Sequence, residues 1–329
     1  MYDNSHFNSF FIKCFKPGDE EIDKNGDTLK YHYTSPNSFL SIIKSKELYF
    51  TDIRYLNDKS EPIFVVKRMV EFVDANHEKY PLTCDAFNDL VKENNINDIR
   101  KLNTNHINYN LNLKYHYNND RAFVFCTSID GDSLSMWNYY VNNGFYQGYN
   151  IGFNMQKLLK SFDTEDKRHL DSFFVYYGKV LYSKKDQDQE INNLFDVLEH
   201  SNFSRLNRFE QIKFKLRSYI DHKGMFYKSD KFSHEKEYRI VLEFSDNRVH
   251  KDKTHYFGEN NKQIKDDFVI KNGLVVPILK VKLKEDSISR ITISPMMEFE
   301  IAKDSVRELI DTMGYKNIKI HKSNIPIRY

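Results

Sequence analysis

The chain has 329 residues, of which 40% are hydrophobic and 15% aromatic, and this composition excludes a wholly disordered protein. Its 49 Lys and Arg residues balance 47 Asp and Glu residues, so no global field draws it to nucleic acid or to an acidic membrane. The three cysteines, Cys14, Cys84 and Cys126, are too widely spaced for a disulfide framework or a Cys-x-x-Cys zinc site.

The start at Met1 lacks the pattern of a secretory leader, and no apolar run approaches the roughly 18 residues of a membrane span. A soluble cytoplasmic protein with no membrane contact is expected. The turn signals Pro17-Gly18-Asp19 and Asn25-Gly26-Asp27 predict an irregular segment over residues 1–28. Residues 29–329 are predicted to form a single α+β domain with a helical insertion around 62–119.

Strands and helices alternate in the first two thirds of this domain. Ser35 and Pro36 predict a helix start between two short strands, because proline is favoured at the first helical position. Strands are predicted over 29–33, 48–51, 121–127, 148–153 and 173–182, and helices over 36–43, 63–73, 134–141 and 191–219.

The last third is predicted to be mostly β, because β-branched and apolar runs there are separated by turn-rich segments. Strands are predicted over 238–244, 268–270, 278–283, 290–293 and 318–321, with a closing helix over 297–313. Asp58 and Glu61 precede a long apolar helix, and this spacing favours a helix cap over a metal-binding pair. No metal site is predicted.

Two remote segments carry candidate chemistry, Tyr31-His32-Tyr33-Thr34-Ser35 and Glu235-Lys236-Glu237-Tyr238-Arg239. A histidine and a glutamate on two strands can grip a ribose and stabilise a cationic sugar, which cleavage of the nicotinamide–ribose bond of NAD requires. Glu237 is the candidate electrostatic catalyst at a rigid strand start. Glu235 lies two residues away on the same strand face and is the candidate that orients a nucleophile.

Structural alternatives stay open for both segments. A lone histidine is more commonly a half-buried strand residue bonded to backbone, and this alternative stays open for His32. Glu235 and Glu237 are also typical of a strand entry with salt bridges to Lys231 or Arg239. Tyr139 and Tyr140 follow the only tryptophan, Trp137, on a helix that is either core or the lining of a cleft.

The chain resembles the bacterial, defence-associated proteins grouped as domain-of-unknown-function family 2971, from about Leu29 to the end. The resemblance lies in the two segments above and in Leu56-Asn57-Asp58-x-x-Glu61, Phe125-Cys126-Thr127-Ser128, Met136-Trp137-x-x-Tyr140, Gly148-x-x-x-Gly152-Phe153 and the ending Ser323–Arg328.

The opening segment is also similar to the first motif of ADP-ribosyltransferase-fold enzymes. That resemblance implies a split antiparallel β-sheet core with helical insertions and NAD as the substrate. It implies NAD contacts from His32 and Thr34, with Tyr33 and Arg239 also placed in the NAD site. It implies nicotinamide stacking by Tyr139 or Tyr140 and catalysis by Glu237. Tyr33 stands where that motif often has glycine.

The expected function is therefore transfer of ADP-ribose from NAD to a macromolecule, nucleic acid or protein, in antiviral defence or as a toxin, with a possible regulatory partner protein. Two alternatives remain: an NAD glycohydrolase that uses the same pocket, and a non-enzymatic nucleic-acid- or protein-binding defence module.

Overall fold

The computed structural model describes residues 29–58, 61–93, 121–141, 146–162, 173–203, 207–244, 264–271 and 273–327. The predicted irregular segment 1–28 and the part of the predicted insertion beyond residue 93 lie outside these residues. Within them, no helix has the length and apolar character needed to cross a membrane.

The described strands are β1 (Leu29–Thr34), β2 (Glu47–Asp52), β3 (Arg121–Ser128), β4 (Tyr149–Asn154), β5 (Phe173–Lys179), β6 (Glu237–Phe244), β7 (Ile264–Lys271), β8 (Leu274–Lys282), β9 (Ile288–Ile293) and β10 (Lys319–Lys322). The described α-helices are α1 (Pro36–Ser45), α2 (Glu61–Asn76), α3 (Pro81–Glu93), α4 (Leu134–Tyr140), α5 (Met155–Leu159), α6 (Lys184–Glu199), α7 (Arg208–Lys223) and α8 (Phe299–Thr312).

These elements divide into two compact units. The first contains the described residues within 1–55, 121–179 and 234–329, including the strands named above, and the second those within 56–120 and 180–233. The predicted division into one domain with an insertion around 62–119 stays a prediction.

The strands of the first unit form one large, mostly antiparallel sheet, which confirms the predicted α+β class. The order along its main path is β10-β9-β4-β1-β3-β2-β8-β7, while β6 pairs with β3 and β5 pairs with β6. Only the β9–β10 pairing is parallel among the described ladders.

The sheet forks at β3. Along one edge β3 pairs with β6 over its whole length, from Arg121 opposite Phe244 to Ser128 opposite Glu237. Along the other edge β2 pairs near Val124, and β1 pairs at Ser128. The described ladders give residues 125–127 no strand partner on that second edge, so β1 and β2 diverge there.

The helix after β1 begins where the sequence predicted. The Ser35 hydroxyl accepts a hydrogen bond from the Ser38 amide at 3.3 Å, Pro36 follows, and Lys46 closes the helix in the left-handed conformation with φ 56°. Phe39 and Ile43 then face the sheet. For α2, which begins at Glu61, residues 59 and 60 lie outside the described part, so capping by Asp58 stays a prediction.

Two apolar clusters cover the two faces of the sheet. The larger combines α1 and α8 with residues of the central strands such as Phe125, Ile151 and Ile240. The smaller packs Met136 and Trp137 of α4 onto Tyr31 and Tyr33 of β1. Side chains therefore alternate between these clusters along β1.

The second unit is helical and is held by aromatic and ionic contacts. The rings of Phe72 in α2 and Phe195 in α6 lie 5.2 Å apart. The buried Lys213 ammonium of α7 donates to Asp89 at 2.7 Å and Glu93 at 2.6 Å in α3. The sequence predicted one or two helices over 191–219, and the structure has two, with Ser183 capping the first.

The Asp132 carboxylate, in the loop between β3 and α4, forms hydrogen bonds with the segment after β10. Asp132 accepts hydrogen bonds from Trp137 Nε1 at 2.8 Å, Ser323 Oγ at 2.6 Å and the Asn324 amide at 2.7 Å. Trp137 is fully buried, so its indole N–H has no access to water as a substitute partner.

Replacing this carboxylate should therefore weaken the first unit. We expect Asp132→Ala to lower the free energy of unfolding by about 2–5 kcal/mol, because it leaves a buried indole donor unsatisfied and removes charge-assisted bonds. Urea unfolding followed by circular dichroism measures this. Asp304→Ala, on the exposed face of α8, is the control and should stay within about 0.5 kcal/mol of the wild type.

Candidate carboxylate site

The two candidate segments lie close together because β1, β3 and β6 are neighbours. Tyr31 of β1 is opposite Ser128 of β3, and Ser128 is opposite Glu237 of β6. Two inter-strand spacings of about 4.8 Å therefore separate the backbone of the first segment from that of the second. The backbones of the two remote segments therefore lie close together, as the sequence analysis expected.

The side chains of His32 and Glu237 nevertheless lie on opposite faces. Directly opposite residues of an antiparallel pair share a face, so Glu237 shares the face of Ser128 and Tyr31, while His32 points the other way. The packing agrees, since Tyr31 contacts the α4 cluster and the His32 ring lies 4.8 Å from Phe125 of the larger cluster. The expectation that the two side chains converge on one cleft is not met.

His32 bonds to backbone within the fork of the sheet. Its Nδ1 lies 3.1 Å from the carbonyl oxygen of Cys126, in the stretch of β3 without a strand partner on that side. Because a carbonyl oxygen only accepts, Nδ1 must carry the proton. Burial lowers the pKa of His32, against the smaller opposing effect of this hydrogen bond. The geometry is that of the structural alternative stated for this histidine.

Thr34 and Tyr33 occupy the end of β1 on different faces. Thr34 is buried and shares the face of His32. The Tyr33 hydroxyl donates to the carbonyl of Asp130 at 2.8 Å and accepts from the Ser133 amide at 2.9 Å. Burial raises the pKa of Tyr33, with Asp130 and Asp132 adding to the effect. Tyr33 thus shapes the loop between β3 and α4.

Four of the predicted site residues do come together, on the α4 face. We call Glu235, Glu237, Arg239 and Tyr140 the carboxylate cluster. Arg239 donates from Nε to one oxygen of Glu237 at 3.1 Å and from an Nη to the other at 2.8 Å. The Tyr140 hydroxyl donates to Oε1 of Glu235 at 2.6 Å. Both carboxylates are therefore fixed in orientation.

The cluster is buried except at one point. Glu235, Glu237 and Arg239 expose 5%, 7% and 1% of their surface, whereas Tyr140 exposes 38%. Burial raises the pKa of Tyr140, and Glu235 and then Glu237 raise it further, so the phenol keeps its proton. Tyr140 is thus a neutral donor between solvent and the carboxylates.

Glu235 and Glu237 do not lie on one strand as predicted, because Glu235 ends a 3-10 helix (Asp230–Glu235), β6 begins at Glu237, and a strained residue joins the two glutamates. Lys236 has φ 44°, in the left-handed region that side-chain-bearing residues seldom adopt, at a cost of order 1–3 kcal/mol. Its carbonyl accepts from the Ile129 amide at 2.9 Å, and its ammonium bonds Asp130 at 2.9 Å. Ser128 Oγ donates to the Glu235 carbonyl at 2.7 Å. These contacts hold the turn from which β6 begins.

Residues 129–133, the β3–α4 loop, form a part of the site that the sequence did not predict. The Asn150 side-chain amide donates from Nδ2 to the Gly131 carbonyl at 2.7 Å. A Cβ atom at Gly131 would lie 2.7 Å from the buried Tyr31 ring, so any other residue there would require that ring to shift. The Asp130-Gly131-Asp132 turn signature was available as a signal, but its contacts come from remote strands.

An exposed aromatic pair lies beside the cluster. Tyr139 exposes 66% of its surface, and its ring lies 5.5 Å from that of His234 at an angle of 48°.

Among the described residues, no group of three or more His, Cys, Asp or Glu is arranged to hold a metal ion.

Residues 136–240 match the family described as "Protein of unknown function (DUF2971)". The match supports the resemblance drawn from the sequence motifs, and it includes all four members of the carboxylate cluster. No curated protein and no solved structure matches the chain.

The buried His32 generates a prediction for acid stability. Its folded pKa lies below the ordinary value of 6.5, so the unfolded chain binds a proton that the folded chain does not as pH falls through 6.5. The free energy of unfolding should therefore decrease towards acid pH, by at most about 1.4 kcal/mol per pH unit from this group.

His32→Asn keeps a donor for Cys126 without a titrating ring, and we expect a shallower loss of stability below pH 6.5 than in the wild type. Urea unfolding between pH 7.5 and pH 5.5 measures the difference. Equal slopes in the two proteins would contradict the assignment to His32.

Proposed function

We propose that this chain is an NAD-dependent ADP-ribosyltransferase-like effector that modifies a macromolecule, acting in antiviral defence or as a toxin. The observation that carries the proposal is the rigid, buried pair Glu235 and Glu237, oriented by Tyr140 and Arg239. The forked antiparallel sheet, which sets the segment of His32 two strands from this pair, supports an ADP-ribosyltransferase-type split core.

The reaction requires a fixed negative charge beside the sugar. Cleavage of the nicotinamide–ribose bond sends its electron pair to the ring nitrogen and leaves a cationic oxocarbenium at C1′. In the proposal the Glu237 carboxylate faces this cation. Its bidentate bond to Arg239 prevents rotation, and electrostatic stabilisation depends on such preorganisation.

Glu235 serves the acceptor in this proposal. A hydroxyl or amine of the acceptor attacks C1′ and loses its proton to the Glu235 carboxylate, which completes the transfer. Tyr140 orients that carboxylate and reaches solvent, so it marks the side from which the acceptor approaches. Of the two tyrosines expected to stack on nicotinamide, Tyr140 takes that role in this proposal, because Tyr139 lies farther out with 66% of its surface exposed.

The remaining predicted NAD contacts take indirect roles. Tyr33 positions the β3–α4 loop, and Arg239 positions Glu237. His32 and Thr34 lie on the opposite face, and His32 acts through the Cys126 carbonyl of β3. The proposal therefore rests on the carboxylates and not on an imidazole–carboxylate pair.

Two other functions have an observation in their favour. The exposed edge of Tyr140 gives water a route to Glu235, which favours an NAD glycohydrolase with water as the acceptor. Glu237 pairs with Arg239, and His32 bonds to backbone. A purely structural network makes the same contacts, which favours a non-enzymatic binding module.

Incubation with labelled NAD and cell extract tests the proposal. We expect nicotinamide release with label on a macromolecule, and we expect Glu237→Gln and Glu235→Gln each to lower the rate roughly 100- to 1,000-fold, as loss of one preorganised electrostatic group does. Circular dichroism verifies that each variant is folded.

Glu243→Gln is the matched control, because Glu243 is equally buried on β6 but lies at the far end of the strand. It should keep the wild-type rate. Free ADP-ribose without a labelled macromolecule would support the glycohydrolase. A wild type that releases no nicotinamide would overturn the enzymatic proposal in favour of the binding module.

A further inference from the structure

Tyr139 and His234 form an aromatic pair, and each is adjacent in sequence to a member of the carboxylate cluster. Tyr139 precedes Tyr140 in α4, and His234 precedes Glu235 at the end of a 3-10 helix. The two rings lie 5.5 Å apart, and Tyr139 is the more exposed, at 66%. Two aromatic rings, inclined at 48° to each other, therefore border the point where the cluster reaches solvent.

The orientation of the neighbouring tyrosine distinguishes the role of Tyr139. Tyr140 directs its hydroxyl inward to Glu235, whereas Tyr139 remains outside with most of its surface open. Isolated exposed tyrosines are ordinary on protein surfaces. This one lies against a second ring beside two buried carboxylates, an arrangement suited to stacking a planar ring near the reacting group.

The local charge favours stacking over phosphate binding. Asp130, Asp132, Glu235 and Glu237 contribute four negative charges at the site, while Lys236 and Arg239 contribute two positive charges, each bonded to one of these carboxylates. The balance is −2, so the site gives a phosphate no net electrostatic attraction. A ligand held here is recognised through its base.

We propose that Tyr139 and His234 bind an unpaired base of a single-stranded nucleic acid, which is the acceptor in the reaction proposed above. The inference rests on that proposed function for its role, but the binding itself can be measured without NAD. A base stacked on Tyr139 lies next to Tyr140 and Glu235, where the acceptor atom loses its proton.

The test is fluorescence anisotropy of the full chain with a labelled single-stranded oligonucleotide of mixed sequence, without NAD. We expect saturable binding that Tyr139→Ala weakens roughly 5- to 150-fold, the range for loss of one base–aromatic stack. Tyr139→Phe keeps the ring and should bind as the wild type does. Phe268→Ala removes an aromatic that is equally exposed, on β7, and should change nothing.

Two further probes separate stacking from phosphate binding. An abasic oligonucleotide of the same length should lose most of the affinity, and raising the salt from about 50 to about 200 mM should change the affinity far less than the roughly 1,000-fold or greater loss of a phosphate-dominated complex. Unchanged binding by Tyr139→Ala, or by the abasic strand, would overturn the proposal.

A wild type that binds no oligonucleotide would also overturn it and would indicate a protein acceptor. NAD is included as a separate competitor, because its own bases are planar. If NAD displaces the oligonucleotide while no nicotinamide is released, the aromatic pair is assigned to NAD and not to the acceptor. If the protein releases no nicotinamide but still binds the oligonucleotide through Tyr139, the proposed function is overturned and the binding site is retained.

Discussion

The antiparallel register between β3 and β6 determines which side chains can act together. Eight successive residue pairs join the two strands, and each places its two side chains on a common face. A shift by one residue would move Glu237 and Arg239 to the side of Phe125 and Ile240, inside the larger apolar cluster. The hydrophobic alternation of both strands opposes that shift, so core packing holds the carboxylates under α4.

Burial of the Glu237–Arg239 pair needs a physical explanation beyond stability. Desolvating two charges costs several kcal/mol, and replacing such a pair by apolar residues of similar volume is often neutral or stabilising. What the pair does provide is a carboxylate with one fixed orientation in a medium of low polarity. A carboxylate of fixed orientation does not stabilise an apolar core, but it can stabilise a developing cation in a binding site. The buried charge therefore favours a functional interpretation.

Local patterns in the sequence predicted much of the fold but not the geometry of the site. Ser35 and Pro36 gave the start of α1, and the apolar runs gave the approximate positions of the strands, although β8 begins at Leu274, four residues earlier than predicted. Period-two alternation placed Glu235 and Glu237 on one strand face, and this was wrong, because Glu235 ends a 3-10 helix and β6 begins only at Glu237 after the left-handed Lys236. It could not relate His32 to Glu237, since the relative face of two strands depends on their register across β3. Asp130 and Asp132 were missed because their partners, Lys236 and Ser323, are more than a hundred residues away.

The fork in the sheet explains why a histidine occupies the centre of β1. Where β1 and β2 diverge, the carbonyl of Cys126 faces a gap instead of a strand, and a buried carbonyl without a partner carries a free-energy cost. The His32 imidazole crosses that gap and satisfies the carbonyl while its ring packs on Phe125. Cys126 is opposite Arg239 in the adjoining ladder, and Arg239 orients Glu237. The imidazole on one face and the carboxylate on the other are thus connected through the backbone of a single strand. A change at His32 can therefore reach the carboxylate cluster without the two side chains ever sharing a ligand.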